Sequence, residues 1–206
     1  MNDKITIEKP NLIIVEGKDD KSFLQNILVT LGMEDCQIQE LNGKDNLHRI
    51  LPALSKTPGF EDVKSLAIFL DADLSPSSTL QSIQNALSKT KLPVPRNPGE
   101  VKSDGKIKIG VFLFPDCKNN GTVEDLIIKT LDKQFIECIQ HYHNCVKQTA
   151  KVNWEFTSKS ILYSYFAVQK EPARTFDVAL KRGHVNLYSP EFDAIRDFLK
   201  KLFSHL

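Results

Sequence analysis

Short apolar runs alternate with longer segments of helical periodicity along most of the chain. Nearly continuous apolar residues at 11–15, 66–70 and 107–114 are typical of strands buried on both faces, and 37–41 predicts another strand. Apolar spacing predicts helices at 19–31, 47–54, 75–89, from 121 onward, and at 133–150, 157–169 and 190–203. Strands that alternate with helices predict an α/β fold: a mostly parallel sheet flanked by helices, with a helical C-terminal extension.

The order of these elements also predicts the domain organisation. We interpret 1–131 as an α/β core and 132–206 as a helical extension packed on that core within the same domain. Prolines, glycines and basic residues concentrate at 91–107, which predicts a surface insertion in the core. A chain of 206 residues lies between one domain and two, at roughly 150 residues per domain.

Composition and charge narrow the classes of protein. Hydrophobic residues make up 41% of the chain and charged residues 26%, and the formal net charge is +1, so a phosphate-binding surface has to be a local patch. The apolar runs are too short to span a bilayer, and residues 1–4 lack the apolar core of a signal peptide. The cysteines are irregularly spaced, which favours reduced thiols. We therefore expect a cytoplasmic protein without membrane contact.

Acidic side chains stand where two of the predicted strands end. Glu16 follows the first strand, and Asp71 and Asp73 follow the third. Residues two apart in extended chain point to the same side, and open α/β sheets bind ligands at the carboxyl ends of their strands. Two like charges at ~4 Å repel by roughly 4 kcal/mol at an effective dielectric of 20, so a cation is expected to offset them. The alternative is that the aspartates cap a turn and that Glu16 is a solvated strand end.

The chemistry of these side chains indicates which cation fits. Carboxylate oxygens suit magnesium, manganese or calcium rather than zinc. Magnesium held by one or two carboxylates keeps positions open for substrate phosphate and water. The sequence therefore predicts a divalent-metal site at the carboxyl edge of the sheet.

Two motifs at this edge resemble a known fold. Leu-Ile-Ile-Val-Glu-Gly-Lys-Asp-Asp at 12–20, followed by Phe-Leu-Asp-Ala-Asp at 69–73, resembles the Rossmann-like Toprim fold over about 11–131. That fold occurs in topoisomerases, primases, maturation ribonucleases and the overcoming-lysogenisation-defect (OLD) nucleases. The chain has no tyrosine in a recognisable topoisomerase context, which argues against topoisomerase activity.

A closer resemblance covers most of the chain. It is to a bacterial Toprim-like branch, related to the OLD nucleases, that is known only as a domain of unknown function. Asn-Gly-Lys-Asp-Asn at 42–46 matches an Asn-Gly-Gly-Lys-Asp-Asn-type loop with one glycine missing. The other matches are Pro-Asp at 115–116, Gly-Thr-Val-Glu-Asp at 121–125, Lys159, and Glu-Pro-Ala-Arg at 171–174.

The resemblance implies catalytic and metal-binding roles. Glu16 would be the general acid or base near the scissile phosphate, and Lys159 would neutralise developing phosphate charge. Asp71 and Asp73, with Glu16, would hold Mg²⁺ or Mn²⁺. Further acidic positions would complete a second metal site, so that one or two ions bind: Asp20, Glu124 and Asp125. The alternative for Lys159 is a solvated side chain.

The resemblance also implies a phosphate- or substrate-binding set. Its members are Asn42, Gly43, Lys44, Asp45 and Arg174. The loop at 42–46 is rich in backbone donors and lies beside the predicted acids, so it would cradle a phosphate. The alternatives are an ordinary helix-entry loop and, for Arg174, a solvated side chain.

These features together predict Mg²⁺-dependent phosphodiester chemistry on DNA or RNA, by a small Toprim-type nuclease or nucleotidyl-transfer enzyme. The alternative is a non-catalytic module that binds metal and a nucleotide or nucleic acid and acts with a separate protein partner, for example in phage defence. A third hypothesis is a scaffold whose acids are a relic. The apolar stripe of the last helix, at 192–203, favours a core position, with a homodimer contact as the alternative.

Overall fold

The structure is a computed structural model that describes residues 6–33 and 35–204. The absence of a signal-peptide core was inferred from residues 1–4, which lie outside the described residues. None of the helices within these ranges is long and apolar enough to cross a membrane.

A sheet of mainly parallel strands forms the centre of the fold. Its strands are β1 (Asn11–Val15), β2 (Cys36–Glu40), β3 (Ser65–Asp71), β4 (Val101–Ser103) and β5 (Lys108–Phe114). In the described part of the chain the spatial order is β2-β1-β3-β5-β4, with β4 antiparallel to β5 and every other pair parallel. The carboxyl ends of β1, β2, β3 and β5 therefore meet at one edge of the sheet.

Helices connect the strands and continue after β5. They are α1 (Lys18–Leu31), α2 (Leu47–Leu54), α3 (Pro76–Leu87), α4 (Val123–Ile128), α5 (Lys133–Thr149), α6 (Ser158–Ala167), α7 (Phe176–Lys181) and α8 (Asp193–Phe203). Short 3-10 helices lie at Lys44–Asn46, Phe60–Asp62 and Pro190–Phe192. The predicted α/β fold with a mostly parallel sheet and a helical C-terminus is confirmed.

Both faces of the sheet are covered, which explains why β1, β3 and β5 are almost continuously apolar. Leu12 and Ile14 belong to a buried cluster with α2 and α3, whereas Ile13 and Val15 belong to the cluster that contains α1, α4, α7 and α8. This division follows from the alternation of side chains along a strand. The stretch at 91–107, predicted as a surface insertion, contributes β4 to the sheet edge.

The last helix is part of the core of this chain. Phe198 of α8 contacts the rings of Phe69 and Phe112, with centroids 5.5 and 5.4 Å apart. A Cβ atom at Gly110 would lie 2.7 Å from the Phe198 ring, so a larger residue at this position would force the ring to move away from β5. The apolar stripe at 192–203 is thus buried within the chain.

Candidate active site at the carboxyl edge of the sheet

Parallel pairing brings the two predicted acidic strand ends together. Val15 pairs with Phe69 in the register of β1 and β3, so Glu16 and Asp71 follow at the same edge of the sheet. Asp71 is the last residue of β3, and Glu16 lies in the turn that leads into α1. This juxtaposition follows from strand order alone.

An open cavity of about 480 Å³ lies at this edge. It is lined by Glu16, Gly17, Lys18, Asp19, Asp20, Asp71, Glu124, Lys159 and Tyr163. Five of these nine residues are carboxylates and two are lysines. We refer to this cavity as the acidic pocket.

The first turn of α1 fixes Asp20 toward the pocket. Gly17 precedes the helix with extended backbone, and its N–H donates to Oδ2 of Asp20 at 2.9 Å. Asp20 is only 8% exposed. Burial raises its pKa to about 7, and the charges of Glu124 and Glu16 act in the same direction, against the Gly17 hydrogen bond.

Asp71 is linked to the start of α4. Its Oδ1 accepts the backbone N–H of Val123 at 2.9 Å, which places the buried Glu124 side chain at the pocket. Burial, followed by the charges of Asp20 and Glu124, raises the pKa of Asp71 to about 9 although the Val123 N–H lowers it. Asp71 therefore takes up a proton at neutral pH unless a cation is close.

Glu16 experiences the same excess of negative charge. Burial, followed by the charge of Asp73, raises its pKa, while the charge and the backbone N–H of Lys44 lower it. Its Oε2 is buried and accepts no hydrogen bond from any described residue. A buried acceptor without a donor is costly, so this oxygen is suited to a ligand that supplies positive charge or a proton.

Lys159 of α6 lies at the rim of the pocket beside two of its acids. Its Nζ lies 2.6 Å from Oδ2 of Asp19 and 3.7 Å from Oε1 of Glu124. The hydroxyl of Tyr163 donates to the same Asp19 oxygen at 3.1 Å. Burial lowers the pKa of Lys159, but the two carboxylates outweigh it, so the pKa is raised and the side chain is charged.

Asp73 lies outside the acidic pocket. Its backbone is left-handed, with φ of 51°, and it forms an isolated antiparallel bridge with Gly121. The extended geometry expected from its spacing to Asp71 is therefore absent, because the chain turns after β3. The Asp73 side chain instead accepts a hydrogen bond from Nζ of Lys44 at 2.7 Å.

The loop after β2 carries Lys44 across to Asp73. Asn42 and Gly43 have φ of 55° and 110°, which turns the chain back over the end of β1. The Gly43 N–H donates to the Glu16 carbonyl at 3.2 Å. Asp45 is exposed, and its charge contributes to the raised pKa of Glu16.

Two further predicted residues have other surroundings. Asp125 accepts the N–H of Thr122 at 2.8 Å and a hydroxyl hydrogen bond from Ser158, so it caps α4 and joins it to α6. Arg174 is exposed in the segment before α7 and does not line the acidic pocket. Metal binding by Asp125 and phosphate binding by Arg174 stay predictions.

The pocket carboxylates lie near one another, but they are not arranged around a common metal position. Across residues 6–33 and 35–204, no three carboxylate, histidine or cysteine side chains are already placed to hold a metal ion together. Rotation of Glu16, Asp20, Asp71 or Glu124 within the pocket would be needed to bind one. The metal-binding roles of these four residues stay predictions.

Four residues of the pocket are not among the site residues predicted from the sequence: Gly17, Lys18, Asp19 and Tyr163. Asp19 lies in the first turn of α1, and Tyr163 lies within α6. Both become site residues because the Tyr163 side chain on α6 reaches Asp19 on α1. The two residues are 144 positions apart in sequence. Sequence spacing carries no signal for such a contact.

A larger cavity lies elsewhere, between α5 and α6. Its volume is about 680 Å³, and its lining is mostly apolar, with Phe135, Ile139, Tyr142 and Val168 among the residues. Its described lining residues include no carboxylate and no lysine. The acidic pocket is the better candidate for phosphate chemistry because charged groups converge there.

The chain belongs to the protein family of unknown function DUF3226, whose family profile matches residues 10–204. No curated protein matches the chain. The structure is similar to that of the hypothetical protein PH0156 from Pyrococcus horikoshii OT3, with a TM-score of 0.52, 15% identity and 95% of each chain covered.

The structure is also similar to two solved structures of the C-terminal region of the OLD protein from Xanthomonas campestris pv. campestris. Their TM-scores are both 0.51, at 15% and 16% identity. The alignments cover 94% of this chain and 95% and 93% of those chains. At this level of identity the similarity shows a shared fold over nearly the whole chain.

Proposed function

We propose that this protein is a Toprim-type, Mg²⁺- or Mn²⁺-dependent phosphodiesterase that acts on DNA or RNA. One observation carries the proposal: Glu16, Asp20, Asp71 and Glu124 share a single pocket with Lys159 at the carboxyl edge of the sheet. The similarity to the OLD C-terminal region supports the proposal at the level of the fold.

The residues of the pocket fit a divalent cation. Burial and mutual repulsion raise the pKa of Asp71 to about 9, and Oε2 of Glu16 is buried without a donor among the described residues. Oxygen ligands of this type suit Mg²⁺ or Mn²⁺. A bound ion would supply Lewis-acid stabilisation of phosphate charge and an activated water.

Lys159 is suited to hold the phosphate. Its side chain is 57% exposed, so the ammonium faces the opening of the pocket as well as Asp19. A substrate phosphate would compete with Asp19 and Glu124 for this cation, and the hydrogen bond from Tyr163 would keep Asp19 in place. Lys159 would then stabilise the negative charge that develops on the phosphate.

Glu16 is suited to move the proton. It lies at the end of β1, half-buried, and its raised pKa brings the carboxylate closer to neutral pH, where a general acid or base is most effective. The backbone N–H of Lys44 hydrogen-bonds its carboxylate and orients it. In this assignment Glu16 transfers a proton to or from the oxygen at the scissile phosphate.

The test is cleavage by the purified protein. Single- and double-stranded DNA and RNA are incubated with Mg²⁺ or Mn²⁺, and in parallel with EDTA. We expect metal-dependent products that Asp71→Asn abolishes. As a matched control, Asp197→Asn changes an exposed aspartate of α8 and leaves cleavage unaltered. Cleavage that survives EDTA or Asp71→Asn would refute the proposal.

A binding module without turnover is the second candidate. The observation that favours it is the double ion pair of Lys159 with Asp19 and Glu124, which occupies the cation that phosphate chemistry needs. Calorimetric titration with nucleotides and oligonucleotides in the presence of Mg²⁺ separates the two candidates. Tight binding without product after long incubation supports the module.

A further inference from the structure

The side chain of Lys44 is held by oxygen atoms on three sides. Its Nζ donates to the Asp71 carbonyl at 3.0 Å, to Oδ2 of Asp73 at 2.7 Å and to Oγ1 of Thr79 at 2.8 Å. An ammonium group has three donors, so these contacts use all of them. Thr79 is buried, which fixes one wall of this cage.

The same residue also contacts Glu16. The backbone N–H of Lys44 donates a hydrogen bond to the Glu16 carboxylate, and the ammonium group of Lys44 binds Asp73. The charge of Asp73 raises the pKa of Glu16. Lys44 thus bridges two acids that repel each other. The ammonium already binds Oδ2 of Asp73, so a metal ion shared by Glu16 and Asp73 would have to compete with it for that oxygen.

The charges near the sheet edge indicate how many ions the site accepts. Asp73 is neutralised by its ion pair with Lys44, at 2.7 Å. Lys159 pairs with Asp19 and approaches Glu124. In the described part of the chain the carboxylates of Glu16, Asp20 and Asp71 form no salt bridge, and because one or two carboxylates usually hold a magnesium ion, these three are enough for one divalent ion.

From this geometry we infer that Lys44 acts as a built-in second cation and limits the site to one divalent ion. The inference rests on the proposed function and refines it. Lys44 is a positioning residue: it neutralises Asp73 and holds it beside Glu16. It is saturated by protein oxygens, so this role replaces the phosphate contact that the sequence predicts for its side chain.

Mn²⁺ stoichiometry tests the inference without reference to activity. We expect calorimetric titration of the wild-type chain to give one tightly bound Mn²⁺, with an electron paramagnetic resonance spectrum free of Mn–Mn coupling. Lys44→Met keeps a side chain of similar length but removes the charge, which releases the Asp73 carboxylate. This variant is expected to bind two Mn²⁺ ions with a coupled spectrum.

The double variant Lys44→Met/Asp73→Asn provides the matched control. It removes the released carboxylate as well, so the stoichiometry is expected to return to one ion. Lys44→Gln, which retains hydrogen-bonding capacity, serves if Lys44→Met does not fold, and thermal melting in EDTA monitors folding of each variant. The Mn²⁺ stoichiometry of the wild-type chain tests the inference even if neither variant folds.

The outcomes separate the two proposals. Two coupled ions in the wild-type chain, or one ion in folded Lys44→Met and Lys44→Gln, would overturn the inference while leaving the metal centre intact. Absence of Mn²⁺ binding in the wild-type chain would overturn the metal-dependent function itself, and the inference with it.

Discussion

Oδ1 of Asp71 accepts the backbone N–H of Val123 at 2.9 Å, a bond that joins the end of β3 to the start of α4 across 52 positions of sequence. This bond places Glu124 beside Asp71 and brings a fourth carboxylate to Glu16 and Asp20. The acidic pocket is therefore assembled from the ends of elements that are separate in sequence.

Asp71→Asn is expected to stabilise the metal-free protein at neutral pH. The native pKa of about 9 means that folding requires Asp71 to take up a proton that the unfolded chain has lost, and asparagine removes this cost. The amide oxygen still accepts the Val123 N–H. We expect the Tm in EDTA to rise, by about 2–4 °C for each kcal/mol gained in a chain of this size.

Thermal melting with and without Mn²⁺ provides the measurement. Mn²⁺ is expected to raise the Tm of the wild-type chain and to have no effect on Asp71→Asn, because a ligand stabilises only the state that binds it. Asp197→Asn is the control and should behave as the wild type does. A variant that melts lower in EDTA and still responds to Mn²⁺ would contradict the assignment.

Glu16→Gln is expected to slow cleavage by about 10²–10⁴-fold, the usual contribution of a general acid or base. Glutamine preserves the shape of the side chain and its hydrogen bond with the backbone of Lys44 but does not transfer protons in the same pH range. Single-turnover cleavage of a labelled oligonucleotide gives the rate. Glu137→Gln, at an exposed position of α5, is the matched control, and equal rates for the two variants would exclude Glu16 as the proton-transfer group.

Lys159→Met is expected to lower the cleavage rate by about 10²–10³-fold through loss of charge stabilisation. Mn²⁺ affinity should be kept or improved, because Asp19 and Glu124 lose their cationic partner. Lys159→Arg is expected to recover part of the activity. Lys170→Met, a change at another exposed lysine, controls for lost surface charge. The role fails if Lys159→Met cleaves at the wild-type rate.

His143 is expected to make stability fall on mild acidification. The ring is 5% exposed and stacks on Phe156 with centroids 4.0 Å apart, and burial lowers its pKa. Folding therefore favours the neutral ring. The full stability is present above the unfolded pKa of about 6.5 and is lost as pH falls through the lower folded value.

Tm values at about pH 7.5 and about pH 5.5, on either side of the ordinary histidine pKa, test this. His143→Gln is expected to be less stable at neutral pH, by about 1 kcal/mol for the lost stacking, but to show a smaller fall in Tm on acidification. His141→Gln alters an exposed histidine of the same helix and should keep the wild-type slope. An unchanged slope in His143→Gln would locate the pH dependence elsewhere.

The central strands β1, β3 and β5 were predictable because they are buried on both faces. The run at 11–15 has the predicted bounds, β3 is longer than predicted by one residue at each end, and β5 begins one residue later than predicted. The six-residue helix α7 and the three-residue strand β4 were not predicted. Elements this short contain less than two periods of a helical pattern, or a single alternation of a strand, and so give no clear periodic signal.

The acidic strand ends were predictable and their surroundings were not. Glu16 and Asp71 meet because strand ends in a parallel sheet share an edge, which the order of elements determines. Asp73 departs from the expected geometry since its bridge to Gly121 imposes a left-handed turn that no local pattern encodes. The same limit applies to Asp125, whose carboxylate contacts Ser158 on a helix that follows much later in the chain.

The contact between α6 and α1 has a consequence for any attempt to divide the chain. Lys159 and Tyr163, which balance Asp19, belong to the second half, as do Ile195 and Leu199, which are fully buried against the sheet. A fragment ending at residue 131 would lose the cover that α7 and α8 give to one face of the sheet, and its acids would lose Lys159. We therefore expect neither half to fold and bind metal alone. Co-expression of the two separate halves should restore both folding and metal binding.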